Sequence, residues 1–303
     1  MSDEDRRAHL ETLRETPGRL KAALKGVPKA LAAWRPAPGK WSILEIVCHM
    51  RDMERDAYIA RFSRILAEDE PALPDCDGDI YALERDYRGQ KLSAVLRDWN
   101  QLRRQTLRIL RGVAAPQWSR RGVHEVAGPL SMDDLLFRLA VGNDRAHLGQ
   151  IEGIKARWRL FGRLEATPAA LEAAVGKLSD EAARQRTPEG KWSPVELACH
   201  LRDCELLFVE RLQKMAWQER PSLWMIDNDR VAEAKGYRAA HLPGVLRDFR
   251  QLRRETLLLL RALPAASWAR VGLHPRRGEV TIEDQAGVLA DHGEHHVARL
   301  ARA

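Results

Sequence analysis

Gly39-Lys40-Trp41-Ser42, then Glu45, then Cys48-His49-Met50-Arg51-Asp52, is written a second time as Gly190-Lys191-Trp192-Ser193, Glu196 and Cys199-His200-Leu201-Arg202-Asp203. In each, a serine followed three residues later by a glutamate is a capping box, so a helix starts at Ser42 and at Ser193. Pro194 adds a proline at the first helical position. Ile43, Ile46, Val47 and Met50 continue the first copy as a 3.6-period apolar stripe. From Lys40 to Lys191 the spacing is 151 residues, and Glu54 returns as Glu205 at the same spacing.

The repeat extends outward from this stretch. Leu96-Arg97-Asp98-Trp99 with Gln101-Leu102-Arg103-Arg104 returns as Leu246-Arg247-Asp248-Phe249 with Gln251-Leu252-Arg253-Arg254, and Trp118, Gly122 and His124 return as Trp268, Gly272 and His274, now at a spacing of 150. Each copy reads as four long helices. The first is expected to start at Thr16-Pro17 and Thr167-Pro168, each a cap followed by proline. A long connection with a short internal helix spans about 71–90 and 221–241. A third helix covers about 92–113 and 242–263, and a fourth starts at Ser131 or Thr281. No strand-period alternation competes. The fold class is all-α, two tandem four-helix bundles, with domains at 1–160 and 161–303 and Gly162 to Leu164 near the seam.

Composition sets outer bounds. A chain of 303 residues, 45% hydrophobic and 31% charged, is an ordinary globular composition with room for two cores. The beginning MSDEDRRAHL has no apolar signal segment and no run reaches membrane-spanning length, so a cytoplasmic protein with no membrane partner is expected. Four cysteines without CxxC spacing read as reduced thiols. The net charge of +7 is spread over helical arginines, which are solvated faces first and an anion-attracting surface second; no nucleic-acid motif accompanies it.

The chemistry is expected in the second copy. His292 and His296 are four apart on a helix, so both imidazoles project from one face, and His200 on the second helix can converge on them. Three neutral imidazoles leave a coordination position open, the pattern of a catalytic metal site. His49 and His147 are the first-copy counterparts of His200 and His296, but the place of His292 is taken by Asn143, a poor ligand for zinc-like metals. Asp144, adjacent, points about 100° away around the helix. The first site is expected to be degenerate.

Other residues carry paired readings. Glu45 and Glu196 are capping residues first, with orientation of the histidines as the alternative. Cys48 and Cys199 are core residues, and Asp203 is a helix-surface ion pair rather than a pocket residue. Trp41, Trp192, Trp118 and Trp268 plug the ends of the bundles. His124 and His274 either order their loop or touch substrate. His295 is surface, and Arg253 and Arg254 are solvated charge with an anion contact as the alternative.

The Trp-Ser-x-x-Glu-x-x-x-His segment, the late His292-x-x-x-His296 with Arg299-Leu300, and the first-copy ending His147-Leu148-Gly149-Gln150-Ile151 resemble the DinB/YfiT-like superfamily over essentially both copies. The resemblance implies up-down-down-up bundles, a divalent metal on His200, His292 and His296, and dimerisation of bundles, here as an intramolecular pseudo-dimer. It implies thiol S-transferases that use low-molecular-weight thiols, thiol-dependent isomerases or metal-dependent hydrolases. The reading taken first is a metal-dependent thiol S-transferase acting on small electrophiles; a metal-dependent hydrolase and a non-catalytic, stress-associated metal-binding scaffold are the alternatives. Zinc comes first as the metal, with nickel or iron behind it.

Overall fold

The computed structural model describes residues 1–186 and 192–301, so Gly190 and Lys191 of the second motif lie outside the described residues. The chain divides into two compact units, Met1–Arg35 with Trp41–Ala156, and Pro36–Lys40 with the residues from Arg157 on.

Unit one is built on helices Asp3–Leu24, 43–67, Leu92–Arg111 and 132–175, of which the last carries past Ala156 and supplies the first helix of unit two. Unit two adds Pro194–Trp217, Leu242–Ala262 and Ile282–Leu300. Directions follow from side-chain bonds. Arg51, early in helix two, meets Gln90 just ahead of helix three, and Arg120, just past helix three, reaches the carbonyls of Ile65 and Glu68 at the end of helix two. Helices two and three are therefore parallel. Arg6 pairs with Asp133 and Lys155 reaches the carbonyl of Ala23, so helices one and four are parallel as well. In unit two Arg270 repeats the reach to Met215 and Gln218, and Arg163 pairs with Asp291 and Glu294. Both units are up-down-down-up bundles.

The capping boxes at Ser42 and Ser193 form as expected, with Ser131 and Thr281 doing the same for helix four. The Thr-Pro pairs do not start helices: Pro17 and Pro168 lie inside them. A mid-helix proline orphans the carbonyl four residues back, and here a buried arginine from helix three takes it. Arg253 Nη1 donates to the Leu164 carbonyl at 2.7 Å and Arg103 Nη1 to that of Leu13 at 3.4 Å. The seam at 162–164 is likewise inside the continuous helix Ala146–Val175. A lone Gly162 costs only about 1 kcal/mol in a helix, less than the burial of Phe161 and Leu164 beside it provides.

Arg253 is correspondingly not solvated. It is 1% exposed and makes a two-pronged pair with Glu205 at 2.8 and 2.7 Å, while Thr256 donates to the same carboxylate. Arg103 repeats this with Glu54 and adds Asp144 at 2.8 Å. Arg254 is exposed as expected.

The drift of the repeat spacing has a structural cause. Two stretches of unit one, Met53–Ile59 and Arg138–Arg145, are π-helix, whereas their counterparts in unit two are ordinary α-helix. A π-turn absorbs one inserted residue without breaking the helix. The first lies where the spacing falls from 151 to 150, the second where it falls to 149, the interval from His147 to His296.

Short strands also occur, contrary to expectation. Arg121–His124 pairs antiparallel with Gly128–Ser131, and Val271–His274 with Gly278–Thr281. Each hairpin turns through a glycine at positive φ, Gly128 at 71° and Gly278 at 72°. Strands of four residues are too short to register as alternation.

Candidate metal centre

His200 sits two turns into its helix and is 5% exposed; His292 and His296 stand one above the other on helix four. The structure brings all three together. Ring centroids lie 5.0 Å apart for His200 with either partner and 4.5 Å for His292 with His296. The Nε2 atoms of His200 and His292 approach to 3.1 Å. The three rings share the wall of an open cavity of about 540 Å3, together with Trp192, Asn228, Asp229 and Arg299.

Burial is the main influence on each imidazole, and it disfavours the cation. With His292 close by, His200 is pushed down to about 4; with His292 and His200 close by, His296 is pushed down to about 3; His292 is lowered too, by burial and then by His295. All three are neutral at pH 7, the form that binds a metal. His292 Nδ1 and His296 Nδ1 are buried without any hydrogen-bond partner, so each ring retains an unmatched nitrogen, which suits a ligand set.

Cys204 was not expected here. Its Sγ lies 3.6 Å from His200 Nδ1 and 3.7 Å from Nε2, and His200, Cys204 and His292 offer ligand atoms within 4.8 Å of one another. Two nitrogens at about 2.0–2.1 Å from a tetrahedral metal are roughly 3.3 Å apart, and a sulfur at about 2.3 Å is roughly 3.5 Å from such a nitrogen. The His200 and His292 nitrogens, 3.1 Å apart, fit a zinc-like ion. The signal in the sequence was the four-residue step from His200 to Cys204, which puts both on one helix face. Burial pushes the Cys204 thiol up to about 12.

The remaining residues resolve cleanly. Glu196 receives Ser193 and Arg186, so it caps, and Glu45 does the same with Ser42 and Arg35. Asp203 is not on the helix surface as expected but 7% exposed, because Arg202, Lys235 and the Tyr237 hydroxyl all bond its carboxylate. Cys199 is fully buried, with its thiol on the Tyr237 carbonyl, and Cys48 likewise on that of Tyr87. Trp192 packs against His200 at 4.8 Å and Trp41 against His49 at 4.7 Å, while Trp118 and Trp268 are core. His274 Nδ1 accepts the backbone N–H groups of Arg276 and Arg277, and His124 those of Val126 and Ala127; each orders its hairpin. His295 is exposed.

In unit one His49 and His147 still face each other at 5.0 Å, with burial and His147 pushing His49 down to about 4. Asn143 is buried with its amide nitrogen unpartnered. Asp144, the neighbouring carboxylate, is held by Arg103 and is not a substitute ligand. Met53 stands where unit two has Cys204. Gly78, the counterpart of Asn228, passes so close that a Cβ there would lie 2.6 Å from His49 Nδ1.

The family model of the DinB superfamily matches residues 12–151 and again 163–300. Among curated proteins, the "Putative metal-dependent hydrolase YfiT" of Bacillus subtilis is 28% identical over 138 residues, covering 45% of this chain and 78% of that protein. The "Putative metal-dependent hydrolase OB0782" of Oceanobacillus iheyensis is 27% identical over 140 residues, covering 46% of this chain and 81% of that protein. The solved structure of YfiT from Bacillus subtilis aligns at a TM-score of 0.45 with 26% identity, over 48% of this chain and 85% of that one. With two matched regions that together span most of its length, one per unit, the chain belongs to the DinB superfamily.

Proposed function

We propose that unit two is a divalent-metal-dependent enzyme, hydrolytic in its first reading, with His200, His292 and His296 as ligands and zinc, ahead of nickel or iron, as the metal. The observation that carries it is the convergence of three neutral imidazoles, His200 buried and His292 and His296 half-buried, on the wall of one open cavity. The name "Putative metal-dependent hydrolase" carried by both relatives supports it. Held there, a divalent metal supplies Lewis acidity toward a water or a thiol. The chain's own residues do the rest. Trp192 packs edge-on against His200 and fixes its ring. Asp229, on the same wall, is placed to take a proton, and Arg299 to hold an anionic group. A thiol S-transferase acting on small electrophiles is the second reading, favoured by that same Arg299 beside the histidines, which suits the carboxylate of a low-molecular-weight thiol.

Metal analysis with an activity screen tests this. The chelated and reloaded protein should hydrolyse a panel of small esters and amides only when loaded, with His292→Ala inactive; consumption of a thiol cosubstrate instead would move the assignment to transfer. A chain that neither retains nor rebinds metal would overturn both and leave a binding protein.

A further inference from the structure

Cys204 has the histidines on one side and a second cavity on the other. This one holds about 240 Å3, below the roughly 300 Å3 at which pockets for drug-sized ligands begin, so its ligand is small. One part of its wall is apolar, with Phe208, Met225 and Ile226. Another part is basic, with Arg211, Arg276 and Arg277. Among the described residues no carboxylate pairs with any of these three guanidinium groups; Arg211 is 5% exposed and donates to the Trp224 carbonyl. Burial and then the charge of Arg277 lower the Arg211 pKa, so the cluster is crowded with like charge. Gln285, 1% exposed, lines the same cavity with its Oε1 unpartnered.

The comparison between the two copies points the same way. The places of Arg276, Arg277, Gln285 and Met225 are taken in unit one by Val126, Ala127, Leu135 and Asp75. There Asp75 lies 3.5 Å from His124 Nε2, and Arg61 and Arg138 also act on that histidine. Unit two has removed that acid, added two arginines and inserted an amide. Val288 stands in the place of Arg138 and adds to the apolar part of the wall. His274 fixes the hairpin turn that carries both arginines.

We propose that this cavity binds a small amphipathic anion, a carboxylate or phosphate monoester on a short alkyl chain, with its head on Arg276 and Arg277 and its chain against Phe208 and Ile226. Asn228 lines both this cavity and the one at the histidines, so the two sites share a wall. Only in calling that molecule a substrate does the proposal rest on the enzymatic reading; the binding itself needs no metal.

Calorimetric titration of the full chain, chelated, with octanoate, hexyl phosphate and neutral hexanol tests it. At least one anion binds at one site per chain, roughly tenfold or more tighter than hexanol, and the double variant Arg276→Ala, Arg277→Ala loses roughly tenfold or more. Its metal content and melting temperature match wild type. Preference for octanoate over hexyl phosphate assigns a carboxylate, the reverse a phosphate. Equal binding of hexanol, no binding of either anion, or an unaltered double variant overturns the proposal. Metal binding without anion binding would leave the metal centre standing alone, and anion binding to a chain that holds no metal would leave a binding site without the enzyme.

Discussion

His200 and His292 have two candidates for a third partner, His296 and Cys204. His296 shares the wall of the larger cavity with both, whereas Cys204 lines the smaller one. Three imidazoles on one wall leave the open position facing the larger cavity. Cys204→Ala should therefore keep stoichiometric metal, His296→Ala should lose it, and cobalt-loaded wild type should lack an intense thiolate charge-transfer band; its presence would put Cys204 in the ligand set. Glu196 makes a separate prediction. Burial opposes its charge, but the bonds from Arg186 and Ser193 prevail and hold it down to about 2. A carboxylate whose folded pKa lies below the unfolded 4.5 stabilises the fold above that pH and loses the contribution as pH falls toward the folded value. The melting temperature should drop between pH 4.5 and 2, and Glu196→Gln should flatten that slope.

Among elements, the helix starts at Ser42 and Ser193 were legible because a capping box is a local code. The Thr-Pro pairs misled because what permits a proline there is a guanidinium arriving from another helix, 90 residues away for Arg103 and 89 for Arg253. The same arginines read as surface for want of any local sign that Glu54 and Glu205 wait in the core. Removing Arg253 strands a buried carboxylate, which costs about 3–5 kcal/mol. Arg253→Leu should lower urea-unfolding stability by about that much, far more than the exposed Arg254→Leu. An effect no larger than that of Arg254→Leu would refute the buried-pair account. The π-turns could not be read as such, although the slipping repeat interval recorded both insertions.

For the whole chain, one metal is expected per 303 residues rather than two. Elemental analysis should find it abolished by His292→Ala and untouched by His147→Ala; two metals, or loss on His147→Ala, would restore unit one as a working site. The three histidines were legible because they sit at helical spacing in a duplicated frame. The second cavity was not, because its lining comes from two helices, a connection and a hairpin that only folding assembles. No helix among the described residues is long and apolar enough to cross a membrane. The two inserted residues bear on how this gene can rearrange. A crossover between the codons of Leu102 and Leu252 excises one repeat and leaves a half-length reading frame. Its product keeps the first insertion, discards the second, and sets His49 in line with His292 and His296, while Arg253 takes the place of Arg103 and Asp144 is lost. Unequal recombination would thus yield a single-bundle revertant with a full histidine triplet, obtainable by deletion alone.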